Sequence, residues 1–160
     1  MNKAVFLDRD GVLCEQTEGR CLKVQDFELL PHVPAILKKL KEKGFLLIVI
    51  SNQGAISRKE ITRGQVEAVH LKMKELLLNS GVELDAIYYC PHDPEIEACI
   101  CRKPEPLMIQ KGIARFNIDP SLSIMIGDSP RDIEAAQKAG VKGLMIRSNE
   151  NWNRVVDHLT

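Results

Sequence analysis

Several acidic side chains, a serine and a lysine follow short apolar runs in this sequence and could act together on a phosphate group. They are Asp8, Asp10, Ser51, Lys103, Asp128 and Asp132. Crowded carboxylates repel one another, a divalent cation relieves that repulsion, and ligands that are all oxygen favour Mg²⁺. One carboxylate could attack phosphorus to form an aspartyl-phosphate, while the lysine and serine hold the transferring oxygens. These residue types predict metal-assisted phosphoryl transfer.

Each of these segments also has an ordinary structural interpretation when it is taken alone. An isolated Asp-x-Asp after a strand is more often a turn with solvated acids. Asp128 could be a helix N-cap, and Asp132 an acid of the first helical turn. Ser51 could be a turn residue and Lys103 a surface residue. The functional interpretation is favoured because all the segments fall at strand ends, on one predicted rim of a sheet.

A second group of potential metal ligands lies within the twelve residues 90–101. Its members are Cys90, His92, Cys99 and Cys101. Three thiolates and one imidazole suit a closed, tetrahedral structural Zn²⁺ site, whereas the alternative is separate reduced thiols. The segment has no apolar periodicity of its own, so zinc would order it, and with it the adjacent Arg102 and Lys103. Cys14 and Cys21 lie outside this group and are expected to be free thiols.

The elements that must position these residues alternate along the chain between short apolar runs and amphipathic stripes. The segments predicted to be strands are residues 4–7, 46–50, 86–89, 124–126 and 144–146. All but 86–89 are expected to be buried on both faces. Apolar stripes predict helices near residues 33–40, 62–77, 109–116 and 133–139, with a short one near 152–156. The alternation predicts an α/β fold, a three-layer, doubly wound, Rossmann-like parallel sheet.

Length and charge exclude several classes of function. The 160 residues suit a single domain spanning 1–160, and equal counts of 22 basic and 22 acidic residues disfavour a nucleic-acid platform. No apolar run reaches the roughly 18–20 residues of a membrane span, and the N-terminal run is too short for a signal peptide. The expectation is a cytoplasmic protein, monomeric, with no nucleic-acid or membrane partner.

Four motifs resemble those of the haloacid dehalogenase superfamily of phosphohydrolases. They are residues 6–12, 51–53, 101–104 and 127–132, and the resemblance extends from Lys3 to about Arg147. More narrowly, the motifs L-D-R-D-G-V, S-N-Q, Y-Y-C-P-H and C-x-C-R-K-P resemble the heptose bisphosphate phosphatase and histidinol-phosphatase branch. The resemblance implies a fold of this superfamily without a separate cap domain, and a zinc-binding loop.

The same resemblance implies a role for each matching residue of the acidic motifs. Asp8 would be the nucleophile and a Mg²⁺ ligand, and Asp128 would be the second carboxylate ligand. Asp10 would protonate the leaving oxygen and then activate water, while its backbone carbonyl binds Mg²⁺.

The other matching residues would hold the substrate. Ser51 and Lys103 would bind the phosphoryl group, and Asp132 would position Lys103. Asn52 and Arg102 occupy positions at which this branch contacts substrate. Relatives often carry an aromatic residue where Cys21 stands, which bears on the substrate that fits.

The resemblance implies a Mg²⁺-dependent phosphomonoesterase that forms an aspartyl-phosphate and removes the 7-phosphate of D-glycero-D-manno-heptose 1,7-bisphosphate. Histidinol-phosphate phosphatase shares the motifs and is the alternative. A receiver-like signalling domain is more distant, because its first-strand acids are adjacent rather than spaced Asp-x-Asp. A polynucleotide 3′-phosphatase is disfavoured by the zero net charge. Arg58, Lys59 and Arg63 form either a solvated helix start or a site for a second phosphate.

Overall fold

The computed structural model describes residues 1–17 and 23–159. Its five strands are β1 (Lys3–Leu7), β2 (Phe45–Asn52), β3 (Ala86–Cys90), β4 (Ile124–Gly127) and β5 (Lys142–Met145). Its α-helices are α1 (Val33–Glu42), α2 (Arg63–Asn79), α3 (Leu107–Phe116), α4 (Pro130–Lys138) and α5 (Asn153–Asp157). Short 3₁₀ turns occur at Val24–Asp26 and Pro120–Leu122.

The five strands form one parallel sheet in the order β3-β2-β1-β4-β5. In register, Leu7 at the end of β1 lies beside Val49 of β2 and Ile126 of β4. The chain winds outward from β1 to β3 and then crosses back to place β4 against the other side of β1. This reversal opens a crevice at the carboxyl ends of β1 and β4, where ligands bind in sheets of this type.

Alternate side chains of the strands enter two separate hydrophobic cores, one on each face of the sheet. Val5 and Leu7 of β1 pack with α1, α2 and α5. Ala4 and Phe6, which point the other way, pack with α3 and α4. Because successive strand side chains face opposite sides, an uninterrupted apolar run such as β1 requires helices on both faces. The predicted three-layer α/β arrangement is confirmed.

The helix boundaries follow local signals in the sequence. At the start of α2, the Thr62 hydroxyl accepts from the backbone N–H of Gln65, whose side-chain oxygen accepts from the backbone N–H of Thr62. This reciprocal capping box satisfies two otherwise unpaired N–H groups. The longest helix, α2, has 17 residues. None of the helices in the described part of the chain is long and apolar enough to cross a membrane.

Two sequence predictions near the C-terminus were wrong in detail. β5 begins at Lys142 rather than at residue 144, and it is exposed or half-buried along its length instead of buried on both faces. It is an edge strand that pairs with β4 on one side and packs against α4. Trp152 lies at the N-cap of α5 instead of within the helix. It is fully buried, and its indole N–H donates to the carbonyl of Val12 at 3.0 Å.

Candidate active site

The candidate catalytic side chains lie at the carboxyl edge of the sheet, around the crevice between β1 and β4. Asp8 follows β1, Ser51 and Asn52 end β2, and Asp128 follows β4. A cavity of about 280 Å³ opens here. Its lining includes seven of the predicted residues: Asp8, Asp10, Asn52, Arg102, Lys103, Asp128 and Asp132. Ser51 does not belong to the lining: it is only 1% exposed, and its hydroxyl accepts from the Gln53 side-chain N–H₂.

Lys103 forms the centre of the charge network in this cavity. Its ammonium group lies 2.8 Å from Asp8 Oδ1 and 2.7 Å from Asp132 Oδ1, and it also donates to the Ile50 carbonyl. Burial alone would lower the pKa of Lys103, but the charges of Asp8 and Asp132 together outweigh it and raise the pKa. Lys103 is therefore a fixed, buried positive charge directed at Asp8.

Asn52 holds the backbone of Lys103 in place. Its side-chain oxygen accepts from the Lys103 N–H at 3.0 Å, and its side-chain N–H₂ donates to the Lys103 carbonyl at 3.1 Å. Both ends of the amide are engaged, so this residue, which was predicted to contact substrate, orders the backbone of Lys103 in the structure.

Asp132 uses its two oxygens for two different partners. One accepts from the backbone N–H of Ser129 at 3.1 Å and completes the capping box of α4. The other receives the Lys103 ammonium. The structural and functional interpretations of this residue are therefore compatible.

Three carboxylates are placed to hold a cation. Ligand oxygens of Asp8, Asp128 and Asp132 all lie within 4.8 Å of one another. Burial raises the pKa of Asp8 to about 7, although Lys103 opposes the shift. One lysine neutralises only one of the three charges, so these residues fit a divalent cation with oxygen ligands. The Ser148 hydroxyl donates to Asp128 at 2.5 Å, a contact that no sequence motif indicated.

The Asp10 carboxylate is oriented by a separate set of neighbours. The Arg9 guanidinium donates to both of its oxygens, at 3.0 and 3.1 Å. The Gln53 side-chain N–H₂ donates to Asp10 at 3.2 Å and to the Ser51 hydroxyl at 2.7 Å. The thiol of Cys14 donates to Asp10 at 3.3 Å. Arg9 and Gln53 lie inside two of the motifs, but the sequence indicated no role for either.

The four predicted zinc ligands come together beyond the end of β3. The sulfur of Cys90 lies 3.0 Å from that of Cys101 and 3.7 Å from that of Cys99. The Nδ1 atom of His92 lies 3.4 Å from the Cys90 sulfur and 3.3 Å from the Cys101 sulfur. Sulfur atoms around a tetrahedral zinc stand about 3.8 Å apart for Zn–S bonds of about 2.3 Å. The cluster is near that size, so its donors fit such a metal.

Two basic residues near the Cys/His cluster contact the loop that carries it or nearby acidic groups. Arg102 donates to the carbonyl of His92 at 3.0 Å. Arg58, proposed as part of a second phosphate site, pairs with Glu60 at 2.8 Å and with Asp93 at 2.5 Å. Arg58 therefore faces two carboxylates. Cys21 lies outside the described residues.

Comparison with known proteins identifies the family. A model of the haloacid dehalogenase-like hydrolases matches residues 16–140. The chain belongs to this family. A relative of this hydrolase, the D-glycero-beta-D-manno-heptose-1,7-bisphosphate 7-phosphatase of Haemophilus ducreyi, is 43% identical over 146 residues, covering 88% of this chain and 80% of the relative. The enzyme of the same name from Pasteurella multocida is 37% identical, covering 91% of this chain and 82% of its own.

A solved structure extends the likeness to the whole hydrolase fold. The D,D-heptose 1,7-bisphosphate phosphatase from B. bronchiseptica, complexed with magnesium and phosphate, matches with a TM-score of 0.86 at 28% identity. The match covers 99% of this chain and 88% of that one. This hydrolase is therefore a phosphatase, and the family and fold class that the motifs predicted are confirmed.

Proposed function

We propose that this hydrolase removes the 7-phosphate from D-glycero-D-manno-heptose 1,7-bisphosphate, with Mg²⁺, through an aspartyl-phosphate on Asp8. The substrate is supported by two relatives of that name at 43% and 37% identity. The observation that carries the reaction is the Lys103 ammonium, 2.8 Å from Asp8 and 2.7 Å from Asp132, beside a third carboxylate. The monomeric state and cytoplasmic location stay predictions.

In the first step Asp8 attacks the phosphorus atom of the 7-phosphate. An oxygen–phosphorus bond forms to Asp8, the bond from phosphorus to the sugar oxygen breaks, and Asp10 protonates that leaving oxygen. In the second step water attacks the phosphorus and gives its proton to Asp10. The Asp8 carboxylate is regenerated, and heptose 1-phosphate and inorganic phosphate are the products.

Charge on the transferring oxygens is neutralised by groups that are already in position. The buried Lys103 faces Asp8, and Asp132 holds it there. Asp8, Asp128 and the Asp10 backbone carbonyl would hold Mg²⁺, which when bound supplies further positive charge at the phosphoryl group. We assign Asn52 and Arg102 to substrate contact because both line the cavity. We also assign Ser51 to the phosphoryl group, although its hydroxyl accepts from the Gln53 side-chain N–H₂ at 2.7 Å in this structure.

We assign a structural Zn²⁺ to the Cys90, His92, Cys99 and Cys101 cluster. The cluster is only one residue away from Arg102, which itself donates to the His92 carbonyl. Fixing this loop therefore fixes both Arg102 and the following Lys103. Catalysis would depend on zinc through position alone.

The proposal is tested by phosphate release from the heptose bisphosphate, with histidinol phosphate and an aryl phosphate for comparison. We expect the highest kcat/KM for the heptose substrate, and loss of turnover on removing Mg²⁺. The Asp8→Asn variant should fold but release no phosphate, since its amide is not a nucleophile. A preference for histidinol phosphate would overturn the proposed substrate. Activity of Asp8→Asn equal to that of the wild type would overturn the proposed mechanism.

A further inference from the structure

Arg9, which lies between the two catalytic aspartates of the proposed mechanism, is buried and faces more than one partner. Its side chain is 4% exposed. Nε and Nη2 donate to the two oxygens of Asp10, at 3.0 and 3.1 Å, as a two-pronged fork. Nη1 points away from Asp10 and meets Nε2 of His70 at 3.2 Å. Both sides of this guanidinium group are therefore engaged inside the protein.

His70 reaches Arg9 from α2, a helix far away in sequence. It lies on the same buried helix face as Val69 and Met73, where the surrounding positions are apolar, and it is 6% exposed. Because an arginine only donates, Nε2 of His70 must accept, and the ring must be neutral with its proton on Nδ1. Burial and the Arg9 charge lower the pKa of His70 to about 3, which agrees with a neutral ring.

The His70 acceptor matters because it restrains rotation of the Arg9 guanidinium group. A buried guanidinium N–H without a partner is unfavourable. Without His70, the group would rotate to satisfy Nη1 and would tilt out of the plane of the Asp10 carboxylate. Gln53 and Cys14 would still contact Asp10, but each does so through one hydrogen bond. Arg9 alone engages both Asp10 oxygens among these three residues.

We propose that His70 is a positioning residue for proton transfer: it holds Arg9 in the orientation that aims the Asp10 carboxyl group at the leaving oxygen. This inference rests on the proposed function, in which Asp10 protonates that oxygen. His70 does not line the cavity described above, so it acts only through Arg9. An apolar residue would fill the same space in the core without fixing Arg9.

The test compares two variants that differ in hydrogen bonding but hardly in shape. Glutamine and methionine are close in size, and only glutamine offers a strong acceptor to Arg9. The readout is kcat/KM on two substrates, because this constant reports the steps up to departure of the leaving group. The heptose bisphosphate has an alkoxide leaving group that needs a proton, whereas p-nitrophenyl phosphate releases a phenolate that needs little assistance.

We expect His70→Met to lower kcat/KM for the heptose bisphosphate about tenfold or more, and for p-nitrophenyl phosphate less than about threefold. His70→Gln should stay within about threefold of the wild type on both substrates. Leu71→Gln, at an exposed position beside it on α2, should change neither value. If His70→Met does not fold, His70→Leu replaces it, since leucine likewise offers Arg9 no acceptor and should show the same dependence on the leaving group.

Equal losses on both substrates, or equal losses in the methionine and glutamine variants, would overturn the role of His70 while leaving the proposed function in place. A wild-type protein that releases phosphate from neither substrate would instead contradict the proposed function, and the role of His70 with it.

Discussion

At the scale of single residues, Asp132 and Asn52 each serve two roles in the structure. Asp132 closes the capping box of α4 with one oxygen and holds Lys103 with the other. Asn52 lines the cavity while both ends of its amide hold the Lys103 backbone. A substitution at either position therefore alters the surroundings of Lys103 as well as the residue replaced. Effects on activity and on folding must be measured together.

Gly11 offers a test of Asp128 in which an effect on metal binding can be separated from an effect on stability. It has φ +84°, and a Cβ placed there would collide with the carboxylate of Asp128. We expect Gly11→Ala to raise the Mg²⁺ concentration needed for half-maximal activity, because Asp128 must move. Gly81→Ala is the matched control: φ is +77°, but nothing lies within 4 Å of the added Cβ.

Both alanine variants should lose about 1–2 kcal/mol of stability from the left-handed backbone. Denaturant unfolding measures the loss of stability, and a Mg²⁺ titration of activity measures the concentration needed for half-maximal activity. The same Mg²⁺ requirement in the two variants would argue against Asp128 as a metal ligand.

His70 predicts a pH dependence of stability. The pKa of His70 is lowered from 6.5 to about 3 by burial and by Arg9, with Lys74 adding to the shift and Asp10 opposing it, while Tyr89 packs edge-on at 5.5 Å. Below pH 6.5 the His70 ring binds a proton in the unfolded chain, whereas in the folded chain it does so only near pH 3. Stability should therefore fall as the pH is lowered through this window, by up to about 1.4 kcal/mol per unit.

The His70→Gln variant isolates this effect, because it lacks the titrating ring. The difference in unfolding free energy between the wild type and this variant should shift against the wild type between pH 7 and pH 5. A difference that stays constant over that range would show that His70 takes up its proton at the same pH in the folded and the unfolded protein.

At the scale of elements, the sequence predicted those strands and helix ends that depend on local signals. Apolar runs located all five strands, and the Thr62–Gln65 capping box located the start of α2. The end of β2 shows the limit: Ser51 and Asn52 were both expected at the rim, but neighbouring strand residues face opposite ways, and only Asn52 reaches the cavity. His70 and Arg9 lie 61 positions apart, so their contact depends on how α2 packs, which no local pattern encodes.

The loop of residues 90–103 is the element whose order we expect to depend on metal. Removal of zinc, by a chelator or by Cys99→Ala, should make this loop sensitive to proteolysis and lower kcat, because Arg102 and Lys103 directly follow the last ligand. Zinc analysis should find about one ion per wild-type chain. Ile100→Ala is the control, since this side chain is 75% exposed between two ligands and should leave zinc content and kcat unchanged. A zinc-free wild type with full activity would contradict the assignment.

At the scale of the whole molecule, residues 148–152 near the C-terminus pack against the loop that follows β1. The backbone N–H of Asn149 donates to the Gly11 carbonyl at 2.8 Å, and the Trp152 indole donates to the Val12 carbonyl at 3.0 Å. Ser148 in the same segment contacts Asp128. The loop carrying Asp8 and Asp10 is thus held between β1 and residues that lie almost 140 positions later.

Trp152 therefore couples the fold to the site, and its removal should affect both. It is fully buried, so Trp152→Ala should cost about 3–5 kcal/mol of stability. Trp152→Phe keeps most of the packing but lacks the N–H, and should cost about 1–3 kcal/mol. Circular dichroism during denaturant unfolding measures both, since the chain has no other tryptophan to report fluorescence. Leu122→Ala, 57% exposed, should stay within about 0.5 kcal/mol of the wild type.

Trp152→Phe should also lower kcat, at a temperature where the variant is still folded, because the loop after Asp10 has lost the hydrogen bond from the indole to Val12. An unchanged kcat would mean that Trp152 supports folding alone.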